Sequence, residues 1–126
     1  MKKKKQKPLL HEFNIGVYPR KLWVAISKDT FKDELSNVPK FNEDCYAETM
    51  ETSNKKTGNA GVLIRFGSIK DATCKNICHE STHAALSIFH TVGAKVDYDN
   101  SEPFAYLVDF IAGCCEEVRK NKRRTK

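Results

Sequence analysis

The chain contains no apolar run approaching the roughly 20 residues needed to span a bilayer. It also lacks a signal-peptide core, because only Leu9 and Leu10 follow the N-terminal lysines before charge returns. These absences argue against a membrane span and classical secretion, and the expected location is cytoplasmic. Paired cysteine spacing is missing too. The five cysteines (Cys45, Cys74, Cys78, Cys114 and Cys115) are odd in number and never fall into C-x-x-C. That argues against a disulfide framework and for free thiols in a reducing compartment. There is no internal repeat and no composition shift marking a linker, so nothing divides the 126 residues into two domains.

What is present suits one soluble domain. About 40% of the residues are apolar and 30% charged, enough for a core that needs no disulfide staples. The formal charge is +6, but it is unevenly placed. Residues 1–8 hold five lysines and no acid, and residues 119–126 hold six basic residues and no acid. The remainder, 9–118, has 11 basic and 16 acidic residues, a net charge of −5. The expected organisation is a basic disordered tail over 1–8, a single domain over 9–118 and a second basic tail over 119–126. Weak contact with nucleic acid or another polyanion would belong to the tails and not to the acidic body.

The hydrophobic pattern changes near residue 68. Before it, period-two alternation marks strands around Phe13–Val17 and Leu22–Ile26. Segment 29–37 is expected to hold a short helix ended by Pro39. Segments 44–51 and 61–67 flank a turn-rich stretch and read as a hairpin. After Ser68 the period is helical. One helix is expected over about 71–92, with Ser68 or Asp71 as N-cap, Gly93 as C′ residue, and Ile77, Ala84, Ile88 and Val92 on its buried side. A second helix starts after Ser101, with Pro103 in its first turn. Its apolar stripe is Phe104, Leu107, Val108, Ile111, Cys115 and Val118. The fold class is therefore α+β, a small antiparallel sheet packed on two helices.

The segment that can carry chemistry is Cys78-His79-Glu80-Ser81-Thr82-His83. It is an H-E-x-x-H whose histidines, at i and i+4, lie one turn apart on one helix face and can converge on a single Zn²⁺. Glu80 sits beside that point, suited to take a proton from a metal-bound water and return it to a leaving group. With this chain's histidine and glutamate frequencies, the pattern arises by chance in about 1 chain in 100. A catalytic zinc takes a third protein ligand. Glu102, 19 residues after His83 in the first turn of the next helix, is the first choice, with Asp97 and Asp99 in the loop as alternatives. Tyr106 and Asp109 continue the stripe that begins at Glu102, as a transition-state donor and an outer hydrogen-bond partner respectively. His90 lies two turns beyond His83, too far along a straight helix to share the metal. Cys74, Cys78, Cys114 and Cys115 read as small buried groups.

At these residues the sequence resembles a zincin. His79, Glu80 and His83 match the family motif, and Glu102, within S-E-P-F-A-Y, resembles the glutamate on the following helix of gluzincin-type metallopeptidases. The two stretches together resemble small HExxH proteins encoded by phages and prophages, which would place the chain in a host cytoplasm. The metzincin continuation is absent, since Leu86 and Phe89 stand where its glycine and third histidine would be. The resemblance covers about 68–118 and implies a single minimal zincin-like domain over 9–118, zinc held by His79, His83 and Glu102, and hydrolysis of a peptide or protein substrate with Glu80 as general base. It also implies that segment 61–67 forms the upper rim of the cleft and pairs with extended substrate. A non-catalytic, virion-associated binding protein with nucleic-acid-contacting tails is the alternative. A protease brought to nucleic acid by its tails is a third reading, resembling SprT-like proteases in motif and basic ends.

Overall fold

The structure, a computed structural model, describes residues 8–124. Its α+β order is β1 (His11–Asn14), β2 (Lys21–Ile26), β3 (Ala47–Ser53), β4 (Ala60–Phe66), a 3₁₀ turn (Ile69–Asp71), α1 (Cys74–Val92) and α2 (Glu102–Arg124). The strands form one sheet in the order β1-β2-β4-β3. The expected hairpin is there, with β3 antiparallel to β4 and Thr49 opposite Ile64. The sheet is mixed and not wholly antiparallel, because β2 and β4 run parallel, with Leu22 beside Val62 and Val24 beside Ile64. Parallel pairing at the centre suits strands buried on both faces, and residues 22–25 and 61–66 are buried without interruption. Gly61 is required there, since a Cβ would stand 2.1 Å from the Lys21 carbonyl oxygen.

The two faces are covered differently. Leu22, Val24, Val62, Ile64 and Phe66 pack with Ile77, Ala84, Ile88, Leu107, Ile111 and Val118 of the helices, largely the expected stripes. On the other face, Trp23, Ala25 and Leu63 pack under Phe31 and Leu35 from the β2–β3 connection. No helix forms over 29–37. Instead Phe31 and Asn37 take left-handed backbone angles (φ 48° and 59°), and Leu35 makes an isolated bridge with Asn54. Arg65 explains why. It is fully buried, and its guanidinium donates to the carbonyls of Asp29 (2.8 Å) and Pro39 (2.9 Å) and to Glu48 Oε2 (3.0 Å). Binding both ends of the segment to one side chain favours a wrapped turn over a rod.

α1 starts at residue 74, later than expected, because Thr73 is its N-cap and accepts from the Asn76 N–H at 3.1 Å. Ser68 and Asp71 are instead bonded to each other (2.9 Å). Gly93 ends α1 in the left-handed region, φ 77°, as a C′ glycine does. Residues 119–124 continue the backbone of α2, whereas the rest of the expected tails, 1–7 and 125–126, lie outside the described residues. Cys114 and Cys115 are buried, but Cys74 and Cys78 are exposed, as is Cys45, which corrects the expectation for the first pair. Among the described residues, no helix is long and apolar enough to cross a membrane.

Candidate functional site

The H-E-x-x-H segment faces the free edge of the sheet. β4 lies between β2 and β3, so segment 61–67 is internal and cannot form a cleft rim. The rim is β3, one strand earlier. The local pattern hides this, because edge position depends on the non-local pairing of β2 with β4. Between β3 and α1 runs a cleft of about 590 Å³, lined among others by Cys45, Thr49, Glu51, His79, Glu80 and His83.

Helical spacing does what the sequence implied for the histidines. His79 Nε2 and His83 Nε2 are 3.1 Å apart, with the rings edge-on at 77°. Both residues are exposed to the cleft side, while Ile77, Ala84 and Ile88 anchor the opposite side of α1 in the core. Glu80, one position on from His79, is only 7% exposed. Its carboxylate accepts from the Thr49 hydroxyl at 2.7 Å, a contact from strand edge to helix. A short hydrogen bond to a carboxylate is strong and fixes its orientation. Thr49 was not singled out by the sequence. The only signal was its place in a strand, without indication that the strand borders the motif helix.

Glu102 lies elsewhere. α1 continues nine residues past His83, a rise of about 13.5 Å, before the chain turns back. The ring of Phe104 meets Phe89 at 5.3 Å, which sets the first turn of α2 beside the last turns of α1. Among the described residues, no group of three His, Cys, Asp or Glu side chains gathers closely enough to hold a metal, so neither Glu102 nor another such side chain completes a three-donor set with the histidine pair. Tyr106, 65% exposed, borders a separate apolar hollow with Val17, Tyr18 and Phe110, and Asp109 is exposed on the same helix. His90 is exposed in the last turn of α1. Asp97 forms a turn, its carboxylate accepting from the Asp99 N–H at 3.0 Å. The structure thus brings His79, Glu80 and His83 together and leaves Glu102, Tyr106 and Asp109 outside the cleft.

The thiols divide by position. Burial pushes Cys114 up to about 11 and Cys115 up to about 12. These cysteines are held as neutral thiols between the helices and are unsuited to nucleophilic work. The exposed Cys78 is also raised, by local desolvation and then by its neighbour Cys74. Comparison with family models, curated proteins and solved structures gave no match, so a functional reading stands on the chemistry of this cleft.

Proposed function

We propose that the β3–α1 cleft is the centre of a zinc-dependent, zincin-like peptidase, with His79 and His83 holding the metal and Glu80 acting as general base. The observation that carries this reading is the 3.1 Å separation of the two imidazole Nε2 atoms beside a buried carboxylate. Two nitrogens bound to one tetrahedral zinc at 2.0–2.1 Å stand about 3.3 to 3.4 Å apart, so the pair fits the ion with little adjustment. Bound there, zinc would supply Lewis-acid polarisation and lower the pKa of a water.

The chain's own groups provide the rest. The Thr49 hydroxyl occupies Glu80 Oε1, leaving Oε2 to accept a proton from water and return it to the leaving amine. The opposite side of α1 is packed in the core, which keeps both histidines and Glu80 in register. β3 has a strand neighbour on one side only, with Ser36 bonded to the outer edge at Ser53, and an extended peptide can add to the edge before that point by main-chain hydrogen bonds. Glu80→Gln tests the role of the base. The variant is expected to keep its metal and lose peptide hydrolysis, and hydrolysis at the wild-type rate would exclude the mechanism.

A non-catalytic binding protein is the second reading. It is favoured by one observation: 3.1 Å also suits an N–H···N hydrogen bond between neutral imidazoles. In that case the two basic tails would contact a polyanion, and removing residues 1–8 and 119–126 would abolish that contact without touching the cleft.

A further inference from the structure

Three glutamates line the β3–α1 cleft, and they are engaged differently. Glu48 points to the loop-covered face, where it pairs with Arg65 (3.0 Å) and accepts from the Asn42 N–H (2.5 Å). Glu80 is tied to Thr49. Glu51 is exposed and has no hydrogen bond or ion pair among the described residues.

We infer that Glu51 is the third protein donor to a divalent metal held by His79 and His83, in place of Glu102. The inference rests on the metal reading above. Strand alternation puts Glu51 on the same face as Thr49, and that face is fixed by the bond from Thr49 to Glu80. Its register partner, Val62, belongs to the helix-side core, as does Ile64, the partner of Thr49. Glu51 therefore presents a free carboxylate to the cleft that His79 and His83 line from the other side. Two imidazoles and one carboxylate form a donor set that catalytic zinc sites use, with a fourth position left open for water. Among the described residues no three such side chains stand close enough to hold a metal, so any third donor would have to move onto a bound ion; Glu51, exposed on the edge strand and lining the same cleft, would do so by side-chain rotation, whereas Glu102 is set beside the last turns of α1. Cys45, in the lead to β3, is the competing donor in the cleft.

The test is titration of the full chain with Co²⁺, followed by visible absorption, and with Zn²⁺, followed by calorimetry. Wild type is compared with Glu51→Gln, Glu102→Gln, Cys45→Ser and His83→Ala, and circular dichroism verifies that each is folded. The expected result is one ion per wild-type chain, affinity lowered at least about tenfold in Glu51→Gln and His83→Ala, and wild-type affinity in Glu102→Gln and Cys45→Ser. Wild-type affinity in Glu51→Gln would overturn the inference. So would loss of affinity in Glu102→Gln, or a sulfur-to-cobalt charge-transfer band that Cys45→Ser removes. Each of those leaves the histidine site standing, whereas a wild-type chain that binds neither ion overturns the metal reading itself.

Discussion

Glu48 and Glu51 lie three residues apart on one strand, and their environments are opposite. Glu48 faces the loop-covered side, where a fully buried Arg65 holds it together with two backbone carbonyls. Glu51 faces the helix side at the mouth of the cleft, its carboxylate without a partner among the described residues. The residue between them on the cleft side, Thr49, reaches the motif glutamate. The same alternation thus makes β3 a structural clamp on one face and a wall of the site on the other. An edge strand can carry both roles because its successive side chains point to opposite faces.

The largest expected effect comes from breaking the clamp. Arg65→Ala leaves Glu48 and the carbonyls of Asp29 and Pro39 without their donor, and denaturant unfolding should register a loss of about 3–5 kcal/mol. In the metal-free chain, Glu51→Ala should change stability by no more than about 0.5 kcal/mol. Equal losses would erase the distinction between the two faces. α1 offers the same contrast. Ile88→Ala opens a cavity in the core and should cost about 2–5 kcal/mol, while His83→Ala, on the exposed side, should stay within about 0.5 kcal/mol when both chains are metal-free.

The buried thiols sharpen the comparison through pH. Below about 9.0, both folded and unfolded chains keep the Cys115 proton. Above it the unfolded chain releases the proton, while the folded chain holds it up to about 12. Stability should therefore fall as pH rises through that window, by the order of 2–4 kcal/mol. Cys115→Ala should reduce the fall in a series of unfolding curves, leaving the part that Cys114 contributes, and an unchanged slope would contradict the assignment.

Thr49→Val removes the donor to a buried carboxylate at nearly constant shape. A loss of about 1–3 kcal/mol is expected, largely recovered by Thr49→Ser, and failure of serine to recover stability would show that the methyl group carried the effect. A small effect is also expected of Glu102→Gln. A carboxylate in the first turn of α2 interacts favourably with the helix dipole, by about 0.3–1 kcal/mol, and a larger loss in thermal unfolding would mean that Glu102 has a partner beyond its helix.

Much of this architecture was legible in the residues. Alternation located the strands, the turn-rich stretch before Ala60 gave the hairpin, and the i, i+4 histidines gave one exposed face of one helix. The features that were hidden depend on partners distant in the chain. Nothing near Leu22 signals that its strand lies parallel to Val62 and not antiparallel, and that pairing is what leaves β3 as the edge. Segment 29–37 has a helical composition, yet Arg65, far along the chain, draws Asp29 and Pro39 into a turn. The position of Glu102 turned on the length of α1 beyond His83. Sequence spacing measured the distance along the chain but not the level at which α2 folds back, which the Phe89–Phe104 contact sets.

The most direct test of the central claim is zinc content by elemental mass spectrometry, on purified wild type and on His83→Ala. The account predicts about one zinc per wild-type chain and its loss in the variant, with the fold intact. Zinc retained in His83→Ala, or a wild-type chain that stays metal-free after zinc is supplied and the excess removed, would contradict it.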